Sequence, residues 1–234
     1  MIAAATIAFV ASPRWKSYWA KSSVFSAPAM NPATSRAICS GCCPPSVRVV
    51  IWMGSFIDRL VDARIGRTWN FYRDGDGAEV RARRLAQYLD ARASAPILIV
   101  GEAPGYRGAR VSGIPFTSER QLTGRGPAEA TATIVHAALA DFGLTDQVLL
   151  WNVVPTHPGS VSSNRRPTAT EVRAGREFAR ELAHGRCVLA VGRLAADALE
   201  APYIRHPSRG GVAAFRRGLL QFAPGGRQVR RFSA

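Results

Sequence analysis

The stretch Ile97-Leu-Ile-Val-Gly-Glu-Ala-Pro-Gly105 decides the fold of this chain. Four apolar residues in succession, ended by a glycine, predict a short strand that is buried on both faces. Two glycines and a proline directly after a strand can shape a tight loop whose backbone lies against a ligand. The loop matches neither G-x-G-x-x-G nor the P-loop pattern, so phosphate binding through those motifs is unsupported.

Strands and helices alternate on both sides of this stretch. The spacing of apolar residues predicts helices over 54–64, 79–92, 126–142, 168–184, 194–199 and 212–222. Short apolar runs predict three further strands over 148–154, 188–191 and 203–204. Continuous apolar strands between helices are typical of a parallel sheet that is covered on both faces. We therefore predict an α/β fold, a three-layer αβα sandwich around a central, four-stranded, mostly parallel sheet.

The net charge is distributed unevenly. The 234 residues include 31 Lys and Arg against 16 Asp and Glu, a formal charge of +15. Residues 1–52 carry +5 and residues 201–234 carry +7, both without an acid, whereas residues 53–200 carry only +3. Basic ends beside a folded centre favour a polyanionic partner, with nucleic acid as the first candidate, although a solvated basic surface without a partner explains the charge equally well.

The overall composition excludes several classes of protein. A hydrophobic content of 47% with 20% charged residues excludes a wholly disordered chain. No apolar run approaches the ~20 residues that a membrane helix needs, so we expect no membrane partner. Four cysteines in 234 residues exclude a disulfide scaffold.

The first 52 residues differ from the rest in composition. They hold both lysines of the chain and three of its four cysteines, and no acid occurs before Asp58. The segment could be a targeting peptide, a basic arm that adds affinity for DNA, or sequence upstream of a true start at Met53. We favour the last because the composition changes at a methionine. We expect the folded domain to span residues 53–234.

The cysteines do not form a metal-binding pattern. Cys39, Cys42 and Cys43 supply one C-x-x-C step, whereas a structural zinc or cluster site takes four ligands, usually as two such pairs. Cys187 lies in an apolar strand, where cysteine usually packs as a small hydrophobic residue. We therefore expect no metal site.

Unusual residues cluster at the carboxyl ends of the predicted strands, where ligands bind in such folds. The Gly101–Gly105 loop follows the first strand, Asn152 lies near the end of the second, and His206-Pro-Ser208 follows the fourth. Asn152 is notable among Val, Leu and Trp because a buried amide needs hydrogen-bond partners. A ligand could supply these partners, and so could neighbouring backbone.

Four short motifs, in this order, resemble those of the uracil-DNA glycosylase superfamily: Gly101-Glu-Ala-Pro-Gly105, Gly113-Ile-Pro-Phe116, Asn152-Val-Val154 and His206-Pro-Ser208. The resemblance is closest to the bacterial and archaeal family-four enzymes. It implies a monofunctional glycosylase of base-excision repair that removes uracil from DNA and leaves an abasic site. It further implies a monomer of the bacterial cytoplasm, associated with the nucleoid through its DNA substrate and product.

Two positions depart from the family-four pattern. Those enzymes hold an iron–sulfur cluster on four cysteines, and Thr156 and Gly175 stand at two of the corresponding positions here. We therefore expect no cluster and no other cofactor. Gly175 lies on the apolar stripe of its helix, where a glycine costs ~1 kcal/mol relative to alanine, so we expect close packing there.

The resemblance also implies roles for single residues. Phe116 would stack on the flipped uracil, Asn152 would read its Watson–Crick edge, and His206 would donate to O2 as the glycosidic bond breaks. Further uracil-binding candidates are Gly101, Gly105 and Tyr106, and candidates for contact with DNA are Ser208, Arg209, Gly210, His157 and Arg205. Helical spacing makes His136 a structural residue.

The group that activates water is left open by the sequence. The best-known enzymes carry an Asp where Ala103 stands, so either Glu102 or a water held by the backbone around Ala103 could serve. Gly105 stands where those enzymes use a Tyr against the methyl group of thymine, which leaves discrimination against thymine open. A non-catalytic member that binds uracil or abasic DNA is one alternative, and a small-molecule α/β enzyme is another.

Overall fold

The computed structural model describes residues 55–222, and a four-stranded sheet lies at their centre. The strands are β1 (Ile97–Gly101), β2 (Val148–Asn152), β3 (Cys187–Val191) and β4 (Tyr203–Ile204), in the spatial order β2-β1-β3-β4. All three pairings are parallel, and Gly101 pairs with Asn152 at the carboxyl end. The predicted α/β fold with a parallel sheet is confirmed.

Helices connect the strands and cover the sheet. They are α1 (55–62), α2 (Ala78–Ala91), α3 (Ala109–Ser112), α4 (Glu119–Thr123), α5 (Ala130–Asp141), α6 (Ala169–Ala183), α7 (Arg193–Leu199) and α8 (Val212–Leu220). Strands β1 and β2 are buried along their whole length, so both faces of the sheet are covered. None of the helices within 55–222 is long and apolar enough to cross a membrane.

Aromatic packing and a helix cap fix the outer elements on the sheet. Phe56 of α1 packs edge to face on Trp151 of β2, with ring centroids 5.6 Å apart, and both side chains are fully buried. Helix α6 begins with the capping box that the sequence predicts, in which Thr168 accepts from the Glu171 amide and Glu171 accepts from the Thr168 amide. These contacts hold α1 and α6 at defined positions around the central strands.

Most predicted boundaries lie within two residues of those observed, and two of the differences concern the elements beside the cavity. Helix α5 begins at Ala130 and not at residue 126, because Gly126 has a φ of +82° and its carbonyl accepts a hydrogen bond from the Arg120 side chain. Strand β2 ends at Asn152 and not at residue 154, although the amides of Val153 and Val154 still donate to the carbonyls of Gly101 and Glu102. The two short helices α3 and α4 were not predicted from the sequence.

Several sequence predictions concern residues outside the described range. These are the N-terminal segment 1–52 with its three cysteines and the arginines at 227, 230 and 231. Their structural interpretation therefore stays a prediction.

Candidate active site

A cavity of about 510 Å³ opens at the carboxyl edge of the sheet. Each strand contributes to its wall: the loop after β1 with Glu102 to Gly105, the end of β2 with Asn152, the end of β3 with Val191 and Gly192, and the segment after β4 with His206. The motifs that the sequence places at strand ends therefore surround one space, as the parallel topology predicts.

The ring of Phe116 and the amide of Asn152 meet above Gly101. A Cβ atom at Gly101 would collide with Cζ of Phe116 and would lie 3.1 Å from Oδ1 of Asn152. Gly101 therefore permits an approach that no other residue type allows. The side chains of Phe116 and Asn152 are both nearly buried and both line the cavity.

The backbone at Phe116 is held in an unusual conformation by a buried network. Phe116 has a φ of +52°, which a non-glycine residue keeps only where its surroundings impose it. The next residue, Thr117, bonds through its hydroxyl to Nε2 of His136 at 3.0 Å, and its carbonyl accepts from the Ser112 hydroxyl at 2.6 Å. Burial lowers the pKa of His136 to about 4, so its ring is neutral. His136 has the structural position that the sequence predicts.

The side-chain amide of Asn152 makes no hydrogen bond to another residue of 55–222, although only 5% of the residue is exposed. Its polar atoms border the cavity and are not among the fully enclosed side-chain atoms that lack a partner, so a ligand or water can reach them. Neighbouring backbone therefore does not satisfy it, and its polar atoms remain available to a ligand in the cavity.

The imidazole of His206 is oriented by Ser208. Nδ1 accepts a hydrogen bond from the Ser208 amide at 3.2 Å and lies 2.8 Å from the Ser208 hydroxyl. Because Nδ1 is the acceptor, the proton of the neutral ring lies on Nε2, which has no partner within the described residues. Burial lowers the pKa of His206, and the nearby Arg205 lowers it further. His206 is therefore a neutral donor on the cavity wall.

Two carboxylates line the cavity, and only that of Glu102 was predicted from the sequence. The side chain of Glu102 makes no hydrogen bond within residues 55–222; burial raises its pKa, while Arg166 acts in the opposite direction. The second carboxylate is Glu129, whose pKa burial also raises. An acidic residue just before a helix is common, so the sequence carried no signal that this side chain reaches the cavity. Ala103 lies on the wall as well.

The cavity lining leaves out some of the predicted site residues. Tyr106, predicted to bind uracil, is not part of it, and its backbone amide donates to the side chain of Asn164. Arg205, predicted to contact DNA, lies outside the cavity and is exposed. His157 does not face a DNA-binding surface, because it is 1% exposed and its Nδ1 and Nε2 bond to the carbonyls of Pro104 and Ser160, both at 2.8 Å. His157 thus fixes the loop after β1 and acts as a structural residue.

The remaining predicted contacts with DNA lie at the rim. Ser208 and Arg209 line the cavity and are exposed, and Arg209 has a φ of +50°. Gly210, with a φ of +74°, faces open space, so its backbone is accessible to a ligand.

The two positions where family-four enzymes carry cysteine are filled by close packing. The Thr156 hydroxyl is fully buried and lies 2.6 Å from the hydroxyl of Thr68. A Cβ atom at Gly175 would lie 2.6 Å from the carbonyl oxygen of Val153, so α6 packs directly on the backbone after β2. The close packing predicted at Gly175 is confirmed. No group of three or more potential metal ligands occurs within residues 55–222.

The fold and the cavity define an α/β protein with an open cavity at the carboxyl edge of a parallel sheet. A sequence model of the Uracil DNA glycosylase superfamily matches residues 88–224. The chain therefore belongs to this superfamily, as its motifs predict. The fold is similar to that in the crystal structure of wild-type SMUG2 from Pedobacter heparinus, with a TM-score of 0.51 and 14% identity over 73% of this chain and 94% of that chain. A search of curated proteins gave no match.

Proposed function

We propose that this chain is a uracil-DNA glycosylase, which hydrolyses the bond between uracil and deoxyribose and leaves an abasic site. The observation that carries the proposal is the unpartnered Asn152 amide, which shares one cavity with the Phe116 ring and the free Nε2 of His206. An amide presents a donor and an acceptor side by side, which matches O4 and N3–H of uracil. The Phe116 ring supplies a surface on which a planar base can stack.

Uracil inside a duplex cannot enter this cavity, so the nucleotide must leave the base stack. Glycosylases extrude the target nucleotide into a pocket, at a cost of a few kcal/mol of unstacking and unpairing. The exposed side chains of Ser208 and Arg209 at the rim are placed to hold the flanking phosphates. Exposed arginines at 107, 166 and 205 add positive charge to the same side of the sheet.

His206 promotes bond cleavage by stabilising the departing base. As the bond between C1′ and N1 breaks, its electron pair passes to the base and the sugar becomes positively charged. The Nε2–H group of neutral His206 donates a hydrogen bond to O2, where negative charge develops. Removing one donor of this kind typically lowers a rate by ~10²–10³-fold.

Water then adds to C1′ and loses a proton, and Glu102 is the residue we assign to accept it. Burial raises the pKa of Glu102, and a base works best when its pKa is near the working pH. Its side chain faces the cavity without a hydrogen bond to another residue of 55–222, so no structural contact competes with this role. Backbone groups beside Ala103 can hold the water in place.

Release of uracil tests this proposal directly. The full chain is incubated with an oligonucleotide that contains one uracil, and alkali then cleaves the strand at any abasic site. We expect cleavage with the wild type and its loss with Asn152→Ala and with His206→Ala. The matched control is His184→Ala, since His184 is exposed and lies outside the cavity. The absence of cleavage with folded wild-type protein contradicts the proposal.

Ala103 favours a second candidate, a member of the superfamily that binds uracil or abasic DNA without cleaving it. A methyl group on the cavity wall cannot activate water. In the same experiment, this candidate predicts retention of the labelled oligonucleotide without strand cleavage.

We propose further that the site works without an iron–sulfur cluster. The backbone contact at Gly175 and the hydroxyl pair of Thr68 and Thr156 support this, because they fill two of the four positions that would hold the cluster. A brown colour with visible absorbance, or iron in the purified, active protein, contradicts the proposal.

A further inference from the structure

The carboxylate of Glu129 occupies the space that side chains at two glycines would otherwise fill. A Cβ atom at Gly105 would collide with Oε1 of Glu129 and lie 2.9 Å from its Cδ. A Cβ atom at Gly108 would collide with Oε2 and lie 2.8 Å from the same Cδ. Both glycines of the loop after β1 therefore make room for one carboxylate, which comes from the segment before α5.

Capping of helix α5 does not explain this arrangement. Glu129 is the N-cap residue of α5, yet its side chain accepts no hydrogen bond from the helix. Glutamate is also not among the residues preferred at that position, which are Ser, Thr, Asp and Asn. The side chain has no hydrogen bond to any other residue of the described range, and it lines the cavity. Its position is thus explained by the cavity and not by the helix.

Three edges of the bound uracil have partners in the proposed function, and one edge is left for Glu129. In the proposed function, Asn152 takes O4 and N3–H, His206 takes O2, and N1 is joined to the sugar. The edge that remains is C5 with C6. Gly105 and Glu129 are among the lining residues that these contacts leave without a role, and the Glu129 carboxylate covers the loop at Gly105 and Gly108.

We propose that Glu129 forms the wall against the C5 edge of the bound uracil and excludes bases that carry a substituent there. Glu129 is thus a specificity-determining residue, and this inference rests on the proposed function of the site. Gly105 has no side chain, and the carboxylate of Glu129 occupies the space that a side chain at Gly105 would fill. Burial raises the pKa of Glu129, because it disfavours the charged form of the carboxyl group.

The inference predicts how substrates differing by one methyl group are separated. Single-turnover rates are measured for uracil and for thymine, each opposite guanine, with the wild type, Glu129→Ala and Glu129→Gln. We expect the wild type to favour uracil by at least about tenfold, since one methylene group in a packed pocket changes rates ~10–200-fold. Glu129→Ala opens the wall and lowers this ratio by about tenfold or more. Glu129→Gln has nearly the same size and keeps it.

Binding provides a readout that does not depend on cleavage. Oligonucleotides with 2′-fluoro-2′-deoxyuridine or its 5-methyl analogue resist cleavage of the glycosidic bond. The ratio of their dissociation constants measures discrimination between uracil and thymine in binding alone. If the wild type releases no uracil, the proposed function fails, while the binding ratios still test Glu129. A uracil-to-thymine ratio that is the same in the wild type and in Glu129→Ala, in both rate and binding, overturns the inference. A collapse of the ratio in Glu129→Gln overturns it as well.

Discussion

The chain contains two buried asparagines with opposite surroundings. Asn70 is 2% exposed, and its amide nitrogen donates to the carbonyls of Leu60, Val61 and Ala63 while its oxygen accepts from the amide of Tyr72. Asn152 is 5% exposed and has no such partner within the described residues. The side chain of Asn70 thus satisfies carbonyl groups at the end of α1, whereas the side chain of Asn152 is available to a ligand in the cavity. Buried polar atoms without partners are costly, so the second arrangement indicates function.

The glutamates repeat this contrast. Glu171 is 1% exposed, pairs with both terminal nitrogens of Arg165 at 2.6 and 2.7 Å, and accepts from the amides of Arg67 and Thr168. The hydrogen bonds from Arg165 lower the pKa of Glu171 to about 2. Glu129 has burial without such donors, and its pKa moves in the opposite direction. Glu171, with its four donors, holds the structure together, whereas Glu102 and Glu129, without a donor in the described residues, line the cavity.

The largest loss of activity is expected for Asn152→Ala. The rate of uracil release falls by about 10²–10³-fold, because in the proposed function the side-chain amide of Asn152 holds the uracil base by hydrogen bonds. The melting temperature stays nearly the same, since the side chain of Asn152 borders the cavity and truncation removes no hydrogen bond to another residue of 55–222. Single-turnover kinetics and thermal unfolding measure the two quantities. A clear loss of stability with unchanged rate would mean that Asn152 is a structural residue like Asn70.

The opposite result is expected for Asn70→Ala. Truncation removes four hydrogen bonds and leaves three carbonyls at the end of α1 without their donor, so we expect a loss of about 3 kcal/mol in the free energy of unfolding. Urea titration measures the loss, and the rate per folded molecule is expected to stay within about twofold of wild type. Comparable rate losses for both asparagine variants would refute the distinction between the two regions.

The hydrogen-bond partners that distinguish these two regions could not be predicted from the sequence, whereas the order of the elements could. The order of strands and helices followed from apolar runs, and the parallel topology then required the loop after β1, Asn152 and His206 to share one edge. Hydrogen-bond partners distant in sequence leave no local pattern. His157 and His206 both follow a strand, yet only the structure distinguishes the one bound to two carbonyls from the one with a free Nε2.

Glu129 illustrates the other limit of the sequence. Its two contacts are with glycines at 105 and 108, more than twenty positions earlier in the chain, and a glycine gives no chemical hint of what lies above it. Gly105 and Gly108 predict a permissive backbone, which is compatible with a turn, a ligand or a distant side chain. Only the tertiary fold selects among these.

Acid should weaken the region around Glu171 selectively. The folded-state pKa of about 2 lies below the ordinary value of 4.5, so folding favours the ionised carboxylate. Its contribution is therefore complete above pH 4.5 and is lost as the pH falls toward 2. Since one pKa unit corresponds to about 1.4 kcal/mol, this contribution is about 3 kcal/mol.

The matched variant for this measurement is Glu171→Gln, whose side chain has no charge to lose. Urea unfolding at pH 7 and at pH 3 is compared for both proteins. We expect the variant to be less stable at pH 7 and the difference from wild type to shrink at pH 3, because wild-type Glu171 becomes partly protonated there. A difference that does not change with pH would show that the charge of Glu171 makes no contribution.

The smallest effect is expected at the residue that orients His206. Ser208→Ala removes the hydroxyl that lies 2.8 Å from Nδ1, but the amide of residue 208 still donates to the same nitrogen. One neutral hydrogen bond contributes about 0.5–1.5 kcal/mol, so the rate should fall by only about 2–10-fold. The control is Ser162→Ala, an exposed serine outside the cavity, for which we expect no change. A loss as large as that of His206→Ala would mean that the hydroxyl, and not the backbone amide, keeps the proton of the imidazole on Nε2.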